Sequence, residues 1–193
     1  MKNIVIIGAG DLGKEIVWLI EDINKVKPTY VILGFLDDDP EKQRKNYFGY
    51  KVLGTPEMLD TYSQSTPFFA VIAIQDGMAR RKIVEEHPGF TRWETIIHPT
   101  AVVAPESSLG EGSMLFPRVI VSVDTKIGRF ALLYINATIC NDCIVGDYAS
   151  IMTGVVVSER AIIENGTFLP AGSCVAPHAK FPESSSKAGS VPL

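Results

Sequence analysis

Histidine and cysteine are both scarce in this chain, with three of each in 193 residues. Cys140, Cys143 and Cys174 are too few for a disulfide framework. Cys140-Asn141-Asp142-Cys143 has the spacing of a redox pair, but no helix start follows it and no second ligand pair accompanies it, so packing is its expected role. Basic charge is short as well. Lys and Arg number 18 against 22 Asp and Glu, a net charge of -4 without the basic face that nucleic acid requires. No apolar run approaches the ~18 residues of a membrane span. The apolar stretch Ile4 to Ile7 leads straight into glycine, unlike a secretory leader, so a cytoplasmic protein is expected. The remaining composition, 46% hydrophobic and 21% charged, is that of a globular chain with room for one large or two small domains.

What is abundant is a six-residue period. From Ile97 a large apolar residue returns at every sixth position, through Val103, Leu109 and Leu115 to Val175 and Phe181, fifteen times in all. Four residues after each stands a small or β-branched one, from Ala101 and Ser107 to Ala179 and Ser185. This period fits neither a helix nor a long alternating strand, and it matches the hexapeptide repeat of a parallel β-helix. Each hexapeptide predicts one short strand and a corner, with the large residue inside and the small one where space is tight. Three sides make a coil, which predicts about five coils in a prism ~24 Å tall at ~4.8 Å per strand. Burying the large residues at ~1.5–3 kcal/mol each gives a few tens of kcal/mol before chain entropy, so the repeat can fold around its own core if its ends are covered.

The N-terminal part has another pattern. Lys2 to Ile7 is a continuously apolar run, as in a buried parallel strand. Gly8-Ala9-Gly10-Asp11-Leu12-Gly13 follows, which is G-x-G-x-x-G, and then Ile16, Leu19, Ile20 and Ile23 at helical spacing. A second strand, Tyr30 to Leu36, ends in Asp37-Asp38-Asp39. That succession is the context of a nucleotide-binding glycine turn: the backbone approaches a pyrophosphate, and Asp37 or Asp38 lies where a ribose hydroxyl is held. The alternative is that the glycines serve only tight strand-to-helix packing. Pro40 to Tyr50 reads as a polar loop, Lys51 to Gly54 as a strand, Thr55-Pro56 as a helix start, Phe68 to Ile74 as a strand and Asp76 to Glu86 as a helix. Arg80 and Arg81 read as a solvated helix face, and His87 as a solvated helix end. With four strands at most, this unit lacks the second half of a dinucleotide domain. That disfavours a dehydrogenase and suits a ligand with one nucleoside.

Ile4-Val5-Ile6-Ile7-Gly8-Ala9-Gly10, Gly34-Phe35-Leu36-Asp37-Asp38-Asp39, Val52-Leu53-Gly54, Ile97-His98-Pro99-Thr100-Ala101 and the hexapeptides together resemble one family along nearly the whole chain. It is the bacterial hexapeptide-repeat sugar O- and N-acetyltransferases related to the sialic-acid and bacillosamine acetyltransferases. The resemblance implies a Rossmann-like domain over residues 1–95 that binds a nucleotide-linked amino sugar, UDP-linked first of all. It further implies a left-handed parallel β-helix over residues 96–193, a homotrimer, and acetyl-CoA as co-substrate between neighbouring prisms. The family histidine that takes the proton from the attacking amine or hydroxyl aligns with Asn141, and an amide accepts no proton. With coils of constant length, Asn141 stacks beneath Glu159 and beside Asp142, so Asn141, Asp142 and Glu159 are the candidate catalytic residues. A solvated charge ladder is their alternative role. A relative that binds the nucleotide sugar without acyl transfer is the alternative function. The closing Gly189-Ser190-Val191-Pro192 echoes the family's last segment after fewer coils than usual.

Overall fold

The computed structural model describes residues 1–65 and 67–182, without the side chains of 62–65. The closing Gly189-Ser190-Val191-Pro192 that echoes the family lies outside the described residues. The chain divides into two compact units, Met1–Gln75 with Ala79–Glu94, and Asp76–Met78 with Thr95 onward.

The first unit runs β1 (Lys2–Ile7), α1 (Asp11–Val26), β2 (Tyr30–Leu36), β3 (Asn46–Tyr47), β4 (Tyr50–Gly54), α2 (Met58–Ser65), β5 (Phe69–Ile72) and α3 (Gly77–Glu86). Its sheet order is β3-β4-β2-β1-β5. β1, at the centre, buries Ile4, Val5, Ile6 and Ile7, and α1 covers it with Ile16, Leu19 and Ile20. The sheet has five strands where the sequence suggests four at most. The additional one, β3, pairs antiparallel with β4 inside the expected polar loop, with Tyr47 opposite Tyr50. Its two-residue turn, Phe48-Gly49, has φ of 52° and 87°, the doubly positive geometry of a tight hairpin. α2 starts later than Thr55-Pro56, because the Met58 and Leu59 amides first close a turn onto the carbonyls of Thr55 and Pro56.

The second unit is a parallel β-solenoid. Fifteen two-residue strands form three five-stranded parallel sheets among the described residues. Strands pair at a constant step of eighteen residues, as in Ile120 with Thr138 and Thr138 with Val156. The second residue of each strand points inward, and from Leu115 to Val175 all of these are buried. The first coil is different: Ile97, on a strand that pairs with one neighbour, is 40% exposed.

The corners carry a regularity of their own. Every sixth residue from Gly112 to His178 is left-handed, with φ between 54° and 75°. Four of these twelve are glycine; the others, among them Arg118, Phe130, Asp142, Tyr148 and Arg160, carry the steric cost of about 1 kcal/mol or more each. Phe130 and Tyr148 stack one coil apart, ring centroids 5.3 Å and planes 3° apart. Gly112 leaves room for that stack, since a Cβ there would lie 2.4 Å from the Phe130 ring. From Ser113 to Thr167 the small-residue column is buried, and polar members donate to carbonyls fifteen residues on: Thr125 Oγ1 to Cys140 at 2.8 Å and Cys143 Sγ to Ser158 at 3.1 Å. Burial raises the Cys143 thiol above its usual range, which marks it as a packing group.

Candidate functional site

Two places in the fold bring chemistry-bearing residues together, one in each unit. The first is a cleft of about 690 Å³ at the C-terminal ends of β1, β2, β4 and β5, the position at which open α/β sheets bind ligands. Gly8, Gly10, Asp11, Leu12, Asp37 and Asp38 line it. Gly8 is required there: φ is 102°, and a Cβ would lie 2.8 Å from the Ala73 carbonyl oxygen. Gly13 is buried beneath the turn, where a Cβ would lie 2.3 Å from the Gly8 carbonyl oxygen. Its role is strand-to-helix packing, and Gly10 is the glycine open to the cleft.

The acidic end of β2 divides its labour. Asp37 is 7% exposed and fully engaged. Its Oδ2 accepts from the Ala9 amide at 2.7 Å and Lys42 Nζ at 3.1 Å, and its Oδ1 accepts from the Asp39 amide at 3.0 Å. Burial pushes this carboxyl up, but those hydrogen bonds outweigh it and hold the group below the usual carboxylate range. Asp37 braces the glycine turn from behind, and its neighbour Asp38 is exposed.

The other end of the cleft holds groups that sequence patterning misjudges. His87 is buried, with Nδ1 2.9 Å from Oδ2 of Asp60 on α2, and it lines the cleft beside Pro56, Glu57, Lys82 and Glu86. The expectation of a solvated helix end fails because α2 packs over it. Arg80 is also buried, donating through Nη1 to the carbonyls of Ile74 and Gln75 at 2.8 Å each, so it closes the loop after β5 instead of facing solvent. Arg81 pairs with Glu85 at 2.8 Å on the helix surface.

The second place is the solenoid corner that carries Asn141, Asp142 and Glu159. Register is unbroken on both sides, Ile139 with Val157 and Ile144 with Ile162, so position 141 lies under 159. The Arg160 amide donates to the Asn141 carbonyl at 3.0 Å, and the His178 amide to that of Glu159 at 3.0 Å. Asn141 Nδ2 donates to Asp142 Oδ2 at 2.7 Å, and Arg160 Nη2 stands 3.7 Å from the same oxygen. The Asp142 side chain is 42% exposed. Exposed apolar residues flank the corner: Ile120 and Val156 on one sheet, Ile144 on the next, and Val123 one coil below Asn141. His98 is buried and bonded through Nδ1 to Thr100 Oγ1 at 2.8 Å, on a different corner. Among the described residues no group of three or more His, Cys, Asp or Glu is arranged to hold a metal ion, and no helix is long and apolar enough to cross a membrane.

A glycine-turn α/β unit joined to a hexapeptide solenoid is an architecture that the chain shares with hexapeptide-repeat sugar acetyltransferases. Residues 3–87 match the PglD N-terminal domain family. Among solved structures, the acetyltransferase domain of PglB from Neisseria gonorrhoeae in complex with acetyl coenzyme A is 25% identical, with TM-score 0.82 over 93% of this chain and 84% of that one. A His-to-Asn mutant of perosamine N-acetyltransferase from Caulobacter crescentus, in complex with CoA and GDP-perosamine, shares the fold at 22% identity and TM-score 0.76, over 93% and 91% of the two chains. WeeI from Acinetobacter baumannii shares it at 24% identity and TM-score 0.64, over 93% and 88%. No curated protein matches the chain.

Proposed function

We propose that this protein is an acetyl-CoA-dependent acetyltransferase acting on a nucleotide-linked amino sugar in glycan biosynthesis. The observation that carries the reading is the coexistence, in one chain, of the cleft behind Gly8 and Gly10 with a solenoid matching an acetyltransferase solved with acetyl-CoA. The cleft supplies backbone for a pyrophosphate and the Asp38 carboxylate for a ribose. Gly8, Ala9, Gly10, Asp11, Leu12, Gly13, Asp37 and Asp38 form the nucleotide-binding element, with Ala9, Gly13 and Asp37 shaping it from behind.

In the transfer step the sugar amine or hydroxyl attacks the thioester carbonyl carbon, the carbon–sulfur bond breaks, and the nucleophile loses a proton. We assign that proton to Asp142 or Glu159, with Asn141 orienting the carboxylate through its 2.7 Å hydrogen bond. An exposed carboxylate is a weak base in water, so the corner needs cover. A neighbouring copy packed on Ile120, Val123, Ile144 and Val156 would desolvate it, which is the role we give to a homotrimer. Thiol release from acetyl-CoA across a panel of nucleotide amino sugars tests donor and acceptor together. Absence of release with every acceptor refutes the reading, and full activity of the Asp142→Ala, Glu159→Ala double variant refutes the assigned base.

One observation favours a second reading, a nucleotide-sugar-binding relative without acyl transfer: Asn141 stands where the family resemblance places a histidine. The Caulobacter protein was captured with both ligands as a His-to-Asn mutant, so in that protein such an exchange is compatible with binding. Calorimetry with acetyl-CoA separates the readings when combined with turnover: binding of both substrates without release favours the second.

A further inference from the structure

We propose that His87, fixed by Asp60, reads the nucleobase at the far end of the cleft and, together with Glu57, selects guanine over uracil. The inference rests on the nucleotide reading above and specifies its substrate class. With the pyrophosphate at the glycine turn and the ribose at the acidic end of β2, the base continues past β2 toward the end of the neighbouring strand. That strand is β4, and the cleft residues beyond its end are Pro56 and Glu57, joined by Lys82, Glu86 and His87 from α3 and the residue after it.

The His87 side chain is 7% exposed, and its Nδ1 is committed to Asp60 Oδ2 at 2.9 Å. No described residue holds Nε2. The Asp60 carboxylate fixes the proton of the neutral ring on Nδ1, which leaves Nε2 a hydrogen-bond acceptor. Glu57 is an acceptor too: hydrogen bonds from the Thr55 side chain and its own amide hold its carboxyl below the usual range. Lys82, the cation at this end, lies 3.6 Å from Glu86 with its side chain exposed. His87 and Glu57 are the acceptors this surface offers to the base. Guanine offers them two adjacent donors, N1–H and the N2 amino group. Uracil offers one N–H between two carbonyl oxygens, which the same acceptors repel.

Calorimetric titration of the full chain with GDP and with UDP at pH 8.5 tests this. GDP is expected to bind about tenfold tighter or more, the size of one well-made hydrogen bond against a mismatched one. The ratio is expected to shrink at least threefold in His87→Gln and, as a variant at an exposed position, in Glu57→Gln, with native circular dichroism kept. UDP binding as tightly as GDP overturns the inference while leaving the nucleotide reading intact. Binding of neither overturns that reading and this one with it. An unchanged ratio in folded variants overturns the assignment to His87 and Glu57.

Discussion

Asp37 offers the sharpest energetic test of how the nucleotide cleft is built. Replacing it with alanine removes the acceptor for the Ala9 and Asp39 amides and the partner of Lys42. Ala9 is 3% exposed, so its amide is left in a dry site, at a cost of roughly 1 to 3 kcal/mol. The Asp39 amide is nearer solvent and costs less. The Lys42 pair, partly exposed, adds about 1 kcal/mol at most. The first unit is therefore expected to lose about 2 to 4 kcal/mol. Both tryptophans of the chain, Trp18 and Trp93, lie in that unit, so urea unfolding followed by tryptophan emission reports on it separately from the solenoid. At a slope of about 1 to 2 kcal/mol/M, the midpoint should fall by 1 M or more. pH gives a second readout. The folded-state value of this carboxyl is depressed, so its contribution is complete above the unfolded carboxylate value of about 3.9 and disappears as pH falls through the lower folded value. Asp37→Asn should flatten the acid limb of the stability profile. A midpoint shift below 0.3 M in Asp37→Ala, approximately the scatter of such measurements, would refute the bracing role.

Three further predictions concern other parts of the fold. Gly154 has φ of 67° with open space where a Cβ would stand, whereas a Cβ at Gly112 meets Phe130, so Gly154→Ala should cost about 1 kcal/mol and Gly112→Ala at least twice that in thermal or urea unfolding. In the native protein a thiol reagent should titrate the exposed Cys174 quickly and the buried Cys143 only on unfolding, which a timed mass-spectrometric labelling experiment checks. Glu94 is buried and joins Lys2 at 2.7 Å to the Tyr30 hydroxyl at 2.8 Å, so Glu94→Ala should destabilise the first unit by about 2 to 4 kcal/mol, read by the same tryptophan signal.

The solenoid was readable in the sequence because burial repeats with the hexapeptide: the residue that must be large and the residue that must be small recur in fixed columns. Its corners were less readable. Of the twelve left-handed positions four are glycine and four are Asp, Asn or His, which tolerate a positive φ, but Arg118, Phe130, Tyr148 and Arg160 give no local hint of one. The β3–β4 hairpin was hidden for the same reason, since Phe48-Gly49 lacks the asparagine that usually announces such a turn. In the cleft, the glycine turn and the acidic end of β2 were legible as neighbours. That Asp37 spends its oxygens on the turn itself depends on the spacing of β1 and β2, which no pattern of residue types encodes. His87 was misjudged because a histidine before Pro88-Gly89 reads as surface. Its burial comes from α2, a separate element, and from the hydrogen bond that Asp60 supplies there.

The left-handed corners give the solenoid a reading frame. Deleting one residue anywhere between positions 112 and 178 would slide every later corner onto a neighbour in the hexapeptide, placing aliphatic or β-branched side chains in conformations they tolerate poorly and turning inward residues outward. Deleting six between Asn141 and Glu159 would restore the corners yet rotate everything downstream by one side of the prism, carrying Glu159 away from Asn141. Only a change of eighteen keeps both the corners and the side of the prism on which each downstream residue lies. Length variation in a protein built this way is thus quantised in whole coils.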